Sequence, residues 1–460
     1  MPKVQTTLPL PEWYHALETT ISICPECRAR VDATIATMDG AVYVVKHCPK
    51  HGRQIELMEK NAAYYCARTQ YAKPGTPSIT QTETRKGCPF DCGLCPEHGQ
   101  HSCIGIIEVN GRCELNCPAC YTGRHNIPDL TMEEACRMMD FLQASESGKA
   151  EILQISGGEP TLHPKILDII QLAKAKRFKY ILLNTNGLRI AEDKAFVTQL
   201  AGLLPQFEVY LQFDGLEDRG HTVLRGRDLR EQKAKALRNL TASGIPVTLV
   251  ATVQKRVNDH EIGAILRHAM SIPGVRGVNY QPLGYFGSAD AGDRHDRITL
   301  TEVLELIEKQ TEEEFRLDDF IPLPCNVERV ALTFCYRDGS RFVPITRKVN
   351  VHEHLPLITN TFAFDADEYL AQASGGSTLC GCMARFLDFL RPLIPAGYNR
   401  LTESEKVGYF NRNMFRISVS SFVDMYNFDL KSMQRECVHI VTRDLRRIPF
   451  SAYNMFYRIP

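Results

Sequence analysis

Apolar runs and helical spacings alternate through the middle of the chain. Ile104–Val109 is a β run, and Glu151–Ile155, Tyr180–Leu183, Glu208–Phe213, Val247–Val253 and Gly277–Gln281 read as five further strands. Near-continuous apolar runs of this length mark strands covered on both faces. Between them, Lys165–Lys176, Leu229–Thr241 and Glu261–Met270 carry helical patterns. Thr131 to Glu134 is a capping box that opens a helix running to about Ser145. Six βα units in series predict an α/β fold, a parallel sheet covered by helices with its ligands at the carboxyl ends of the strands. Upstream, Ala41–Val45 is strand-like and Asn61–Cys66 helical. Downstream, Thr301–Asp318 reads as an acidic amphipathic helix, and the remainder to Pro460 is less regular. The chain therefore divides into a metal-binding ribbon (1–70), a cysteine loop (71–103), a core (104–300) and a C-terminal α+β cap (301–460).

Composition narrows the classes. The 460 residues are 44% hydrophobic, ordinary for a globular protein of two or three domains. Lys+Arg and Asp+Glu balance at 54 each, so no net field draws in nucleic acid, and no nucleic-acid partner is expected. No apolar run approaches a transmembrane span, which leaves only peripheral contact with a membrane. Met1–Thr7 lacks the plan of a signal peptide. Seventeen cysteines without an export signal point to metal binding in a reducing cytoplasm.

The cysteines fall into patterns. Cys24 and Cys27 in a CxxC turn face Cys48 and His51 in a CxxH turn, a tetrahedral set for one zinc or a rubredoxin-like iron. Cys66 is the rival fourth ligand, but His51 has the better spacing from Cys48. Cys88, Cys92, Cys95 and Cys103 make four thiolates for an auxiliary [4Fe–4S] cluster that relays electrons or holds structure. His98 and His101 inside that loop are expected to donate hydrogen bonds to it. Cys113, Cys117 and Cys120 repeat the C-x3-C-x2-C spacing with no near fourth cysteine. A cluster held by three thiolates leaves one iron open for chemistry; zinc more often takes paired CxxC units.

That triplet followed by Tyr121 resembles the signature of the radical S-adenosylmethionine (radical SAM) superfamily. The resemblance implies an open six-unit barrel, a partial (β/α)6 fold, in which the free iron chelates the amino and carboxylate groups of SAM. One electron then cleaves SAM to a 5′-deoxyadenosyl radical, which abstracts hydrogen. Ser156 to Pro160 resembles the family's GGEP motif, implying that Gly157, Gly158 and Glu159 hold the amino group of SAM. Asn184 and Asn186 after the third strand, with Gln212 and Asp214 after the fourth, fall where the family contacts SAM. Asn279 and Gln281 are weaker candidates of the same kind.

The resemblance extends over nearly the whole chain to one lineage, that of the archaeal tetraether lipid synthases and the enzymes described as radical SAM pterin methylases. It rests on the ribbon, Lys73–Pro77, Gly87–His98, Phe422–Asp429, Cys437–His439 and Ile448–Asn454. Related chains carry cysteines near Ser421 and at Ser451, where this one has serine. A further cluster is then either rebuilt from Cys325, Cys335, Cys380, Cys382 and Cys437 or lost. The leading expectation is C–C bond formation at unactivated carbon of a lipid-like substrate, hence lipid biosynthesis. It places an elongated apolar cavity between barrel and cap, where Phe386–Leu390 is a candidate lining. The alternative is a transferase that methylates a pterin or similar heterocycle with a folate-derived one-carbon unit, in a small polar pocket. A third reading is an iron–sulfur electron carrier or regulator. Either enzyme needs an electron donor such as ferredoxin or flavodoxin.

Overall fold

The computed structural model describes residues 14–458, apart from 77, 124–126, 292–296, 349, 352–396, 398–399, 403–404, 406–408 and 410–412. Cys380, Cys382 and Phe386–Leu390 lie outside the described residues. The ribbon is an antiparallel meander of β1 (His15–Ile23), β2 (Arg30–Met38), β3 (Ala41–Cys48) and β4 (Gly52–Glu59). Short helix α1 (Ala62–Ala67) follows, its first turn capped by Asn61.

The core sheet begins at β5 (Ile104–Glu108). After α2 (Met132–Ser145) come β6 (Ile152–Ser156), α3 (Ile166–Ala175), β7 (Tyr180–Thr185), α4 (Leu188–Glu192), α5 (Lys194–Ala201) and β8 (Phe207–Gln212). Then follow α6 (Asp218–Arg225), α7 (Arg230–Ala242), β9 (Val247–Val253), α8 (Ile262–Ser271) and β10 (Val275–Pro282). Strands β5 to β10 pair in sequence order, every pairing parallel. The Thr131–Glu134 capping box is present in both directions. Ile107, Ile155, Leu183, Leu211, Leu249 and Val278 face Met139, Ile170, Leu240 and Leu266 in one core, all essentially without solvent contact. Along β8, β9 and β10 the alternate residues Tyr210 and Gln212, Val250 and Thr252, Asn279 and Gln281 turn the other way, into the open barrel.

Helix α9 (Leu300–Gln310) is shorter than the Thr301–Asp318 pattern suggests. It stops because Glu312 and Glu313 take positive φ, where a side chain cannot continue a right-handed helix. Beyond it the chain adds strands to both edges of the core sheet. On one side lie β11 (Ile321–Pro322), β12 (Val330–Asp338), β13 (Arg341–Pro344) and β14 (Met414–Ser420), with β14 parallel to β10. On the other, β15 (Val438–Val441) pairs parallel with β5, and β16 (Arg447–Pro449) closes that side. The C-terminal region is thus woven into the sheet as well as packed on it.

Candidate functional site

At the carboxyl ends of the core strands lies a cavity of about 260 Å³ whose mouth carries Cys113, Cys117 and Cys120. The cysteine loop starts just after β5 and is held by the turn after β6. The Gly158 and Glu159 N–H groups donate to Asn110 and Arg112 carbonyls at 2.9 and 2.7 Å. Glycine is required there, since a Cβ on Gly158 would stand 2.4 Å from the Arg112 oxygen and one on Gly157 2.5 Å from that of Asn110. So the Gly-Gly pair first clamps the cluster loop against the sheet.

Glu159 is buried, and burial raises its carboxyl above the usual range. Its Oε1 accepts from Thr161 N–H, Thr161 Oγ1 and Thr185 Oγ1 at 2.7–3.0 Å, and its Oε2 from Asn186 N–H at 2.7 Å. A carboxylate has about four acceptor sites, two on each oxygen, so only Oε2 keeps one for an ammonium. Asn184 Oδ1 and Asn186 Nδ2 are buried with no partner among the described residues, and both residues line the cavity. Orphaned polar atoms facing a cavity fit a polar ligand.

Asp214 does not face a ligand with a free edge. It is wholly buried and takes a bidentate pair from Arg225 at 2.7 and 2.8 Å, plus Gln212 Nε2 at 2.8 Å and Thr252 N–H at 3.0 Å. Its work is to aim Arg225, whose guanidinium also hydrogen-bonds Cys117. Behind it Lys233 donates to the Asn186 carbonyl at 2.5 Å and Gln212 Oε1 at 3.0 Å, and burial pulls its pKa down to about 8. Arg225 and Lys233 were not legible as site residues, because helical lysines and arginines ordinarily belong to solvent. Tyr121 lies beside the cavity, edge-on to Phe286 and Phe450.

Polar side chains reach well into the cavity. Gln154, Gln281, Asn326, Arg416, Ser418, Ser420, Ser421 and Glu436 line it, with Phe422 and Phe450 as its aromatic wall. Apolar surface still makes up the larger share of the lining. Glu436 accepts from Ser451 N–H and Oγ, and burial pushes its pKa up to about 7. Ser421 Oγ donates to the Arg329 carbonyl. Both serines that replace the expected cysteines thus make ordinary hydrogen bonds.

The four-thiolate set Cys88, Cys92, Cys95 and Cys103 does not assemble. Cys88 and Cys92 pack together under Val423, Phe428 and Ile448, and Cys95 follows on the same turn. Cys103 immediately precedes β5, and pairing of that strand with β15 carries it to Cys437 instead, its N–H donating to the Cys437 carbonyl at 2.8 Å. Its sulfur lies with those of Cys325 and Cys437. The two histidines part as well: His98 contacts the Glu436 carbonyl and His439, whereas His101 stands 3.6 Å from the Cys103 sulfur. Cys335 is buried elsewhere on β12, near Asp319.

In the ribbon the ligand atoms of Cys24, Cys27, Cys48 and His51 all lie within 4.8 Å of one another. Cys66 is exposed on α1 and outside that set.

The radical SAM superfamily pattern matches residues 107–269, and a pattern described as the HMPTM N-terminal zinc ribbon domain matches residues 16–60. The chain is 31% identical to the 7,8-dihydro-6-hydroxymethylpterin dimethyltransferase of Methanocaldococcus jannaschii, over 95% of this chain and 94% of that one. It is 26% identical to a probable GTP 3′,8-cyclase of Methanothermobacter thermautotrophicus over 36% of this chain and 53% of that protein. Among solved structures, Streptococcus suis SuiB bound to its precursor peptide SuiA is 18% identical with a TM-score of 0.40, covering 47% of this chain and 46% of that one.

Proposed function

This chain belongs to the radical SAM superfamily, in the lineage that holds radical SAM pterin methylases, and from that premise we propose that it methylates a pterin-like heterocycle. The observation that carries the proposal is the set of polar side chains placed within a largely apolar cavity wall. A pterin presents ring nitrogens, an amide and an amino group along its edges, and Gln281, Asn326, Glu436 and Arg416 supply matching donors and acceptors. Phe422 and Phe450, tilted at 36° with centroids 5.3 Å apart, give the flat faces of such a ring an apolar wall. A lipid tail would leave Asn326 Oδ1, buried without a partner among the described residues, unpaired at a cost of about 1–3 kcal/mol. That disfavours the lipid-coupling reading.

Cys113, Cys117 and Cys120 would hold the [4Fe–4S] cluster, and Gly157, Gly158, Glu159, Asn184 and Asn186 the polar end of SAM. When bound, these groups supply a carbon-centred radical by one-electron cleavage of SAM. The protein's own part is positioning and exclusion of water. Asp214 fixes Arg225 beside Cys117, and Tyr121, Phe286 and Phe450 close the wall. A folate-derived methylene donor supplies the transferred carbon, and a small redox protein of the ferredoxin or flavodoxin class supplies electrons.

Reduced, cluster-loaded protein is mixed anaerobically with SAM, a folate methylene donor and 7,8-dihydro-6-hydroxymethylpterin, the compound named in its relative. A methylated pterin, with deuterium passing from the folate methylene into 5′-deoxyadenosine, supports the reading. Deuterium arriving instead from the methyl end of a labelled lipid overturns it.

A further inference from the structure

Beneath the floor of the cavity lie three thiols with no part in the chemistry above. Cys103, Cys325 and Cys437 are 2% exposed or less, and their sulfurs stand within 4.8 Å of one another. The Cys103–Cys325 separation is 3.6 Å and the Cys325–Cys437 separation 3.4 Å. In the ribbon, the Cys24–His51, Cys48–His51 and Cys27–Cys48 separations are 3.4, 3.5 and 3.8 Å. A tetrahedral zinc with metal–sulfur bonds of about 2.3 Å sets neighbouring sulfurs about 3.8 Å apart. Thiolates of a cube each bind a different iron and stand farther apart. Among the described residues, neither C-x3-C-x2-C triplet gathers its three sulfurs within that 4.8 Å limit.

We propose that Cys103, Cys325 and Cys437 bind a single thiophilic divalent ion, zinc or ferrous iron, and that His101, just outside this mutually close set, turns in as the fourth donor. His101 Nε2 is 3.6 Å from the Cys103 sulfur, and its other nitrogen is 3.4 Å from Glu146 Oε2. A carboxylate behind a histidine is the usual support for a metal-bound imidazole. Glu146 is itself held by Arg447 and by the Ser102 N–H.

The placement gives the ion a task. Ile104, Asn326, Glu436 and Val438, chain neighbours of the three cysteines, all line the cavity. One ion joining segments 222 and 112 residues apart therefore fixes the floor residues that face the substrate. This inference stands whichever substrate the cavity takes.

The test uses the full chain, stripped of metal under reducing, anaerobic conditions and titrated with cobalt(II) alone. Cys325→Ala and Cys437→Ala should each lose one cobalt per chain relative to wild type, with its thiolate charge-transfer band. Cys335→Ala, another buried cysteine, should lose none. His101→Ala should keep the ion but shift its visible bands. Loss of the ribbon's cobalt as well would mark misfolding. Anomalous diffraction from unaltered protein then decides, and a single peak at about 2.3 Å from the three sulfurs is expected. Unchanged cobalt in Cys325→Ala and Cys437→Ala, no metal peak, or four irons with sulfide at this position overturns the proposal.

Discussion

Two loops in this protein share the spacing C-x3-C-x2-C and differ in almost everything else. Cys88, Cys92 and Cys95 are buried, and the Cys92 N–H donates to Tyr457 Oη, whose own hydrogen goes to the Pro89 carbonyl. Cys113 is exposed, Cys117 and Cys120 are half-buried, and all three face the cavity. Among the described residues, neither loop has a fourth cysteine beside it once Cys103 is drawn off to β15. Ligand spacing decides what a loop can hold; the surrounding surface decides whether anything can reach it. The first loop is shut in by the C-terminal aromatics, and the second opens on the cavity only because glycines let it lie against the sheet.

The contrast is broken most directly by Cys117→Ala against Cys92→Ala. The first should reduce 5′-deoxyadenosine formation to background, while the second should leave cleavage measurable. Equal loss in both would mean that the loops are interchangeable. Next in size is Arg225→Met, which strands the buried Asp214 carboxylate. Removing one partner of a buried pair costs about 3–5 kcal/mol, to be read as a lowered denaturation midpoint. Lys233 adds a pH signature on the same side of the molecule. Its folded pKa of about 8 lies below its ordinary 10.5, so between those values the unfolded chain keeps a proton that the folded chain has lost. Stability from this group therefore rises with pH across that window, by about 3 kcal/mol at most, and Lys233→Met should flatten the slope. Gly158→Ala forces backbone apart at the second loop only. A cost of about 1–3 kcal/mol should appear as roughly 5- to 150-fold weaker SAM binding in equilibrium dialysis. The smallest change is Tyr457→Phe, which leaves the Cys92 N–H unpartnered at about 1–2 kcal/mol. A denaturation midpoint lowered accordingly, with SAM cleavage unaltered, is the expected result.

Strand order and the loops that follow the strands are readable because they are local: an apolar run, a turn and a helix repeat within about thirty residues. Cys103 was misassigned for the opposite reason. Seven residues separate it from Cys95, but its partners lie hundreds of residues downstream, and sequence proximity cannot see a strand pairing with β15. The same blindness hid the edge strands, since β14 reaches β10 across a long intervening segment. Asp214 was found by its place after β8, but its role was misjudged. The Arg225 that occupies it carries no spacing signal, although a carboxylate after a strand with an arginine closing the next short helix was a clue. Glu159 was found by motif, yet only its hydrogen bonds show that the loop consumes most of its acceptor capacity.

Both edges of the core sheet are completed by strands made after every core strand, β14 against β10 and β15 against β5. During synthesis the six core strands therefore emerge with two open margins, each a row of unpaired amide and carbonyl groups inviting another chain. Long-range parallel pairing is slow to form. Maturation thus has an order: sheet closure waits for residues 414–441, and the thiol group of Cys103, Cys325 and Cys437 cannot exist before it. Chains stopped after β10 should collect as aggregates, and metal delivered before release should reach the ribbon first.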